Sequence, residues 1–565
     1  MDLKGIRRRE IRELIMYRPI MLKAFKNYNG SQLKKDLLSG IIVAIIAFPL
    51  SIALAIASGM RPEQGIYTAI IGAVAASFLG GSTVAISGVT AATVMTVFSI
   101  VSEFGFAGLA IATMLAGVIL IVMGICKVGE LLPYIPYSVT LAFTASIGVG
   151  IFMGQVKNFM GMDIEKLSVN NIGRILAYIK YFNTTDITTV IIGIVAIIIL
   201  WVTPKFIKLI PASFITIIIT TLAVEFLNLE VATINSAYGD IPSKFPSITI
   251  PKIDITMIFD LLPSAFTLAT LIAIVSLLSC VVTDAIVDRK HDQNAELIGQ
   301  GIANIFCGLF GAVPIAGAVA RSTESCKNGG RTPIVALVHS VILAIVLVCF
   351  IPLAGYIPMV SLAAILMIVA INMCNISAIK MIVTKATKTD AIIFLITLVA
   401  GVFLDLLTAF ALGFIASSFL FMRRMAHVTK VSGWKYVEDA SKISELDKDK
   451  KLMPVPKNTL VYEITGPMFF AASNFIDYIS IEEDTKVLIL RMRSVPALDI
   501  TALNSLRKLV GMYEEKGIFI IFSHVLKQPL EMMIKNGFYN EVGENHFALN
   551  IKMALDRAED ISKKG

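Results

Sequence analysis

Long apolar runs constrain this chain more than any other feature, because a backbone inside a bilayer must satisfy its own polar groups and so forms helices or closed barrels. Fourteen such runs precede residue 423, in two groups of seven separated by a polar stretch. With 56% apolar residues and a mean hydropathy of +0.79, the chain differs strongly from ordinary soluble domains. It is therefore predicted to be a polytopic α-helical membrane protein with two repeats, at about 37–227 and 264–426. The runs are 37–57, 64–81, 88–101, 106–126, 133–153, 187–203 and 211–227, then 264–286, 295–311, 317–326, 333–351, 358–377, 389–404 and 406–422.

Basic residues follow almost all of the even-numbered runs, and the short loops on the other side carry few, with Arg61 as the exception. This alternation predicts a cell (inner) membrane protein with both termini in the cytoplasm. It also accounts for the net charge of +8 without a nucleic-acid partner. Residues 1–36 hold ten Lys or Arg and are predicted to be a cytoplasmic segment, either amphipathic and lying on the lipid headgroups or solvated. The basic residues behind the rule are Lys127, Lys205, Lys208, Arg289, Lys290, Lys327, Arg331, Lys380, Lys385, Lys388, Arg423 and Arg424.

Two of the runs, 88–101 and 317–326, are too short to cross a bilayer, and each follows glycines and a few extended residues. In the first repeat the glycines are Gly80-Gly81 and the extended residues are 83–86. In the second repeat the corresponding sequence is GLFGAVPIAGAVAR at 308–321. A glycine-packed helix hairpin would explain either stretch alone. Their corresponding positions in the two halves favour a pair of half-helices whose N-termini, each with about half a positive charge, meet inside the membrane. The sequence therefore predicts a site for a small anion there.

The composition changes after residue 426. Residues 427–457 are predicted to be a charged linker, and strand-like segments alternate with helix-like ones over 458–565. This alternation predicts a small cytosolic α/β domain. The predicted strands are 460–464, 487–492 and 519–522, and the predicted helices are 471–479, 500–515 and 530–535.

Several short motifs, taken in their order and spacing, resemble the SulP family of anion transporters with a C-terminal STAS domain. PEQGIYTA begins at Pro62 and is followed by FLGGS, and ELIGQGIAN begins at Glu296 and is followed by ARS. In the tail, GPMFF begins at Gly466 and ALDIT at Ala497, and both resemble STAS landmarks. The resemblance covers nearly the whole chain.

The resemblance implies two inverted repeats divided into a core and a gate domain, and a homodimer. It also implies that an anion binds between the third and tenth segments while the core moves against the gate. Arg321 would add positive potential there; the alternative is an arginine at a helix end that reaches the membrane interface. The implied site residues are Leu50, Leu54, Gly88, Val89, Thr90, Ala91, Gly317, Ala318, Val319, Ala320 and Arg321.

Some of these positions depart from the usual pattern of the family. Many members carry Gln and an aromatic residue where Leu50 and Leu54 stand, Pro where Val89 stands and a basic residue where Thr83 stands. Many bacterial relatives have a carboxylate at the position of Val275, and valine can neither titrate nor bind a cation. Coupling through that position is therefore absent, which favours exchange or uncoupled transport over symport.

Single residues elsewhere have structural interpretations. His339, in the middle of a run, is predicted to be a buried histidine bonded to a neighbouring carbonyl, with a proton relay as the alternative. Asp499 is predicted to be a helix N-cap. The family alternative is a phosphorylation or partner surface at Asp499 and Thr501, although Ile500 replaces the serine of bacterial anti-sigma-factor antagonists. The six cysteines show no ligand spacing, so neither a metal nor a cofactor is implied.

The sequence thus predicts a secondary transporter of a small inorganic anion that works by elevator-like alternating access, with exchange as one mode. Sulfate is the family default, while bicarbonate, chloride, C4-dicarboxylates and an anion channel remain open. A function of another class is a membrane-tethered scaffold whose STAS-like domain recruits a cytosolic partner. No His-rich cluster, Cys-His pair or Gly-x-Ser-x-Gly elbow indicates an enzyme.

Overall fold

The computed structural model describes residues 28–165, 167–207, 210–248, 255–428, 430–434, 455–470, 479–481 and 484–564. The predicted amphipathic segment before residue 28 and nearly all of the predicted helix at 471–479 lie outside these residues. The chain divides into two compact units, Met1–Phe414 and Ile415–Gly565.

The first repeat is mainly helical, and its second segment changes its winding midway. Between α2 and α3, Thr68–Gly72 forms a π turn, the wide helical turn that holds one residue more than an α-helical turn. The short helix α6 lies in the loop after the fifth segment, and α9 lies after the seventh. The helices are α1 (Gly30–Ala57), α2 (Pro62–Tyr67), α3 (Ala73–Leu79), α4 (Val94–Ile125), α5 (Tyr137–Met160), α6 (Asn171–Lys180), α7 (Ile187–Phe206), α8 (Ala212–Phe226) and α9 (Ile234–Tyr238).

The second repeat begins with a long helix that contains Pro263 and ends with a helix that crosses the boundary between the two units. Its helices are α10 (Ile255–Val287), α11 (Gln293–Leu309), α12 (Val319–Lys327), α13 (Ile334–Cys349), α14 (Ile351–Ala354), α15 (Met359–Cys374), α16 (Ile376–Lys385), α17 (Lys388–Phe403) and α18 (Leu406–Val428).

All fourteen predicted segments coincide with helix, although two boundaries differ from the prediction. The third and fourth segments form the single helix α4, which is broken at Gly105, where φ is 68°. Helix α1 begins at Gly30 behind the N-cap Asn29, so residues 30–36 of the predicted N-terminal segment are helical. Among the described residues, seven helices are long and apolar enough to cross a membrane. The remaining predicted segments are shorter or interrupted.

Helices α4 and α11 touch through their backbones. A Cβ atom on Gly117 would lie 2.5 Å from the carbonyl oxygen of Gly301, and a Cβ atom on Gly301 would lie 2.6 Å from that of Gly117. Farther along, a Cβ atom on Gly308 would lie 2.8 Å from the carbonyl oxygen of Ala110. Small residues at such positions let helices in a membrane approach closely. The two helices therefore form one tightly packed block.

The C-terminal unit contains a five-stranded sheet in the order β3-β4-β5-β6-β7. Strand β3 is antiparallel to β4, and the other neighbouring pairs are parallel. Alternate residues of β5 point to opposite faces, so Leu488 packs in one apolar cluster and Ile489 in another. The strands are β3 (Lys430–Trp434), β4 (Thr459–Thr465), β5 (Val487–Ser494), β6 (Phe519–Ser523) and β7 (Phe547–Ala548). The helices are α19 (Ile500–Glu514), α20 (Lys527–Lys535), α21 (Phe538–Val542) and α22 (Ile551–Lys564).

Two features of this unit bear on the predictions. Strand β3 lies in the predicted linker, so the sheet begins earlier in the chain than residue 458. Asp499 caps α19, and its carboxylate accepts hydrogen bonds from the backbone N–H groups of Ala502 and Phe470, each at 2.8 Å. The N-cap interpretation of Asp499 is therefore confirmed.

Candidate functional site

Two short strands bring the broken segments of the two repeats together. Strand β1 (Ser87–Gly88), here called the first crossing strand, pairs antiparallel with β2 (Ala316–Gly317), the second crossing strand. Each leads within a few residues to a helical start, at Ala91 and at Val319, and no side chain caps either start. The strand pair therefore holds two helix N-termini, with their partial positive charges, close to each other.

The guanidinium of Arg321 lies at this crossing. Its side chain is buried, with 2% of the residue exposed. Nη2 donates to the hydroxyl of Ser51 at 3.2 Å and to the carbonyl of Val89 at 3.5 Å. Nη1 has no hydrogen-bond partner among the described residues, and none of their carboxylates forms a salt bridge with it. The guanidinium of Arg321 is thus enclosed by protein at the crossing, and its buried charge lacks, among the described residues, the counterion that such a charge requires.

The hydroxyl of Thr90 is a second unpartnered polar group at the crossing. Its Oγ1 is buried and makes no hydrogen bond with any described residue. Buried polar atoms are nearly always paired, so an unpaired one requires an explanation. A bound anion would accept hydrogen bonds from both Thr90 and Arg321, and such charge-assisted bonds are the stronger kind.

Gly88 provides the room that the guanidinium occupies. A Cβ atom at this position would lie 1.9 Å from Nη1 of Arg321. No side chain fits there without displacing the arginine. The guanidinium can therefore keep this position only while residue 88 is glycine.

Polar residues at four-residue spacing on α11, which share one face of that helix, hold the broken segment of the first repeat. The carboxylate of Glu296 accepts hydrogen bonds from the backbone N–H groups of Gly81 at 2.9 Å and Ser82 at 3.2 Å. The amide of Gln300 donates to the hydroxyl of Ser87 at 2.6 Å. These bonds fix the approach to the first crossing strand.

The broken segment of the second repeat is held in the same way. Asn304, the next residue on that face of α11, donates to the carbonyl of Ile315 at 2.9 Å and accepts from its N–H at 3.0 Å. On α10, the hydroxyl of Ser276 accepts from the N–H of Gly317 at 2.9 Å. Val275 lies beside this serine and is half-buried against the apolar core.

The predicted site residues do not all have the same surroundings. Val319, which is 38% exposed, and Ala320 lie on the accessible side of α12, whereas Leu50 and Leu54 flank Ser51 on α1. The predicted extended stretch 83–86 precedes the first crossing strand. Ser51 itself was not predicted, because one serine inside an apolar run gives no distinct signal. The buried residues of the predicted set are Leu54, Gly88, Val89, Thr90, Gly317, Ala318 and Arg321, and Leu50 and Ala91 are half-buried.

A cleft of about 360 Å³ opens between α1 and α12. Ile42 and Ile46 line it from α1, and Glu324 lines it from α12. Residues four apart share one face of a helix, so the same faces continue to Leu50 on α1 and to Ala320 on α12. Leu50 and Ala320 thus lie one helical turn beyond Ile46 and Glu324, which line the cleft.

The groups at the crossing supply hydrogen-bond donors and positive potential. Over the part of the chain that the structure describes, no group of three or more His, Cys, Asp or Glu could hold a metal. The site combines one guanidinium, one hydroxyl and two helix N-termini. Such a set provides positive potential and hydrogen-bond donors for an anion.

The chain is similar to known proteins over nearly its whole length. The model of the sulfate permease family matches residues 33–419, and that of the STAS domain matches residues 450–558. YvdB of Bacillus subtilis, provisionally named a sulfate transporter, is 34% identical over 530 residues, which are 93% of this chain and 97% of that protein. The bicarbonate transporter BicA of Picosynechococcus is 27% identical over 522 residues, 88% of this chain and 89% of its own. The solved structure of SLC26A9 superposes with a TM-score of 0.85 at 18% identity, covering 98% of this chain and 94% of that one.

Proposed function

The chain belongs to the sulfate permease family, and we propose that it is a secondary transporter that carries a small inorganic anion, sulfate first, across the cell membrane. The observation that carries the proposal is the pair of buried, unpartnered polar groups at the crossing, Nη1 of Arg321 and Oγ1 of Thr90. A bound anion would satisfy both. The chain is a multi-pass membrane protein, and its positive-inside pattern supports cytoplasmic termini.

Sulfate suits this site because its tetrahedral oxygens can accept several hydrogen bonds at once. Backbone N–H groups and one guanidinium can replace part of its hydration without binding it so tightly that it cannot leave. The name of YvdB agrees with sulfate. Bicarbonate is the second candidate, because BicA is named for it. C4-dicarboxylates and an anion channel are further alternatives within transport.

The packing supports an elevator-like mechanism. The glycine contacts between α4 and α11 and the polar residues on one face of α11 join the crossing to a single block. Such a block can move as a rigid core and carry the anion past the remaining helices. We assign the transport domain to residues 37–426, preceded by a cytoplasmic segment at 1–36, and the STAS-like domain to 458–565 behind a linker at 427–457.

Exchange is the mode that the crossing favours for its anion. The side chain of Val275, next to Ser276, can bind neither a proton nor a cation. We further propose a homodimer, as the family resemblance implies, and a cytosolic protein as partner of the STAS-like domain. For that domain, the N-cap role of Asp499 leaves Thr501 as the more available of the two predicted regulatory positions.

The proposal is tested by the uptake of radiolabelled sulfate into liposomes that contain the purified full-length protein. Uptake should depend on sulfate or another anion inside the liposomes and should be lost in Arg321→Ala. Arg331→Gln is the matched control, because Arg331 donates to the backbone carbonyls of Cys326 and Gly330 away from the crossing. Uptake of bicarbonate without sulfate would select the second candidate. Arg321→Ala with undiminished uptake would contradict the proposed site.

A further inference from the structure

Ser51 lies within the apolar helix α1, and no part of the residue is exposed. Its Oγ is 3.2 Å from Nη2 of Arg321. A guanidinium can only donate hydrogen bonds, so the serine oxygen is the acceptor in this contact. A hydroxyl also carries one proton of its own. The contact with the arginine does not use that proton, which remains available for a second acceptor.

Two other serines of the same helix show where such a proton usually goes. Ser39 donates to the carbonyl of Ser325 at 3.1 Å, and Ser58, at the C-cap, donates to the carbonyl of Leu54 at 2.7 Å. Serine side chains in helices commonly bond a backbone carbonyl in this way. The hydroxyl of Ser51, by contrast, donates to no residue that the structure describes. A buried donor without an acceptor requires an explanation.

The packing of α1 against α2 holds Ser51 in place. A Cβ atom on Gly65 of α2 would lie 2.0 Å from the carbonyl oxygen of Ser51 and 2.9 Å from Cβ of Ala55. The two helix backbones therefore touch at this serine, as small residues allow in membrane helices. Such close packing limits how far Ser51 can move relative to α2. Its hydroxyl is thus preorganised, which lowers the entropic cost of binding a ligand.

The donors at the crossing come from three different elements. Ser51 belongs to α1, Thr90 follows the first crossing strand, and Arg321 belongs to α12. The same Nη2 that donates to Ser51 also donates to the carbonyl of Val89, directly before Thr90, at 3.5 Å. Neighbouring hydrogen bonds polarise one another, so a hydroxyl that accepts from a cation becomes a better donor. Ser51 is therefore a strong donor beside the guanidinium.

We propose that Ser51 donates its hydroxyl proton to an oxygen of the bound anion and so favours oxyanions over halides, an inference that rests on the proposed function. An oxyanion such as sulfate has several oxygens, and each can accept from a different donor. A chloride ion is a single centre, and donors on three elements would all have to reach that one point. Ser51 is thereby a specificity residue in addition to the residues already placed at the crossing.

The test measures uptake of radiolabelled sulfate into liposomes that are loaded with unlabelled sulfate and contain the full-length protein. Ser51→Ala should raise the KM for sulfate by about tenfold, roughly the loss of one hydrogen bond to a charged group. Ser51→Thr keeps a hydroxyl and should keep the wild-type KM. Ser58→Ala is the matched control, because it removes a buried hydroxyl from the end of the same helix and should leave the KM unchanged.

Competition by chloride distinguishes a direct contact with the anion from support of the Arg321 side chain. If Ser51 bonds an anion oxygen, Ser51→Ala should leave the inhibition constant of chloride at its wild-type value. An equal rise of the sulfate KM and the chloride inhibition constant would overturn the direct contact, since a displaced guanidinium weakens the binding of every anion. If chloride inhibits neither protein, the KM values of Ser51→Ala and Ser51→Thr decide.

The remaining results separate this inference from the proposed function. An unchanged sulfate KM in Ser51→Ala would overturn the role of Ser51 and leave the transporter standing. A folded Ser51→Thr protein with a KM as high as that of Ser51→Ala would do the same. The absence of sulfate exchange by the wild-type protein would overturn the proposed function, and this inference with it.

Discussion

Two arginines are buried to the same extent in the membrane unit, and their surroundings differ. Arg174 and Arg321 are each 2% exposed. Arg174 lies on the loop helix α6, where Nε donates to the carbonyl of Ser168 at 2.8 Å and Nη1 donates to that of Gly150 at 3.2 Å. The guanidinium also lies over the ring of Phe98, 5.9 Å from its centroid. Burial lowers the pKa of Arg174, and carbonyl dipoles and an aromatic face offset its charge.

The comparison separates an arginine that is bonded within the protein from one that is proposed to bind the anion. The hydrogen bonds of Arg174 join α6 to α5 within the folded chain. Arg321 donates one hydrogen bond to a hydroxyl and one long hydrogen bond to a carbonyl. Its Nη1 has no partner in the described part of the protein. Burial alone therefore does not identify a ligand site. The unfilled hydrogen-bonding capacity of Arg321, together with its place at the crossing, is what supports the proposed site.

The largest effect is expected from Arg321→Met. Loss of one charge-assisted hydrogen bond costs about 1.5–3 kcal/mol, and this residue supplies the fixed charge of the crossing. Sulfate counterflow, the exchange of labelled sulfate outside liposomes for unlabelled sulfate inside, should therefore fall by about 100-fold or more. The melting temperature should stay the same or rise, because a buried, unpaired charge is removed. Counterflow and thermal unfolding of the same detergent-purified sample measure both quantities. A lower melting temperature with unchanged counterflow per folded protein would make Arg321 structural, like Arg174.

The next effect is expected from Gly88→Ala, which leaves Arg321 in place but moves its guanidinium. The added Cβ would lie 1.9 Å from Nη1, so counterflow should fall by about tenfold, roughly the loss of a single hydrogen bond. Gly150→Ala is the matched control in the same unit, since its Cβ would meet nothing closer than Met95 Cγ at 3.8 Å. Equal counterflow in both variants would argue against a guanidinium that must occupy one fixed position.

Arg174→Gln should lower the stability of the protein and leave counterflow unchanged, the reverse of the effects expected of Arg321→Met. Removing this guanidinium leaves the carbonyls of Ser168 and Gly150 without their donor, and the protein should lose about 2–4 kcal/mol of stability. The melting temperature should fall by several degrees while counterflow per folded molecule persists. Lys180→Gln, at an exposed position at the end of the same helix, should change neither. Loss of counterflow at full stability would assign Arg174 to the anion path.

The smallest effect extends the comparison to histidines. His546 of the C-terminal unit bonds the carbonyl of Ile520 at 2.7 Å through Nδ1, and burial lowers its pKa below the ordinary 6.5. Its neutral form is thus favoured in the folded state, and stability present above about pH 6.5 should decline as the pH falls below that value. Hydrogen exchange of β6 in the full-length protein, corrected for intrinsic rates, should show less protection at about pH 5.5 than at about pH 7.5. His546→Phe should remove this difference, and His524→Asn, at an exposed position, should retain it.

Hydropathy predicted most of the membrane unit, because each span must be apolar whatever its neighbours. The crossing was predicted from the positions of its glycines, and the motif resemblance added Thr90 and Arg321. Glu296, Gln300 and Asn304 stood in a recognised motif, and their four-residue spacing already placed them on one helix face. Their partners were not predictable, because these are backbone groups of loops distant in sequence.

Other features could not be predicted from the local sequence. Ser51 stands among apolar residues, and only the folded chain brings it to Arg321. Strand β3 consists of five residues directly after a helix, and its pairing with β4 depends on residues about thirty positions away. His339, by contrast, is fully buried, as its position in the middle of an apolar run indicated.

The π turn at Thr68–Gly72 is the place where this broken segment can change its length. A π turn contains one residue more than an α-helical turn, so removing one of its residues would restore an ordinary helix. Because the wide turn absorbs the extra residue, α3 and Gly88 would then keep nearly the same orientation relative to Arg321. Each residue of an α-helix adds about 100° of rotation and 1.5 Å of rise. A deletion within the α-helical part Ala73–Leu79 would instead rotate the chain between the deletion and Gly88 by about 100°. We therefore expect a working crossing to tolerate the loss of one residue at the π turn and not at α3.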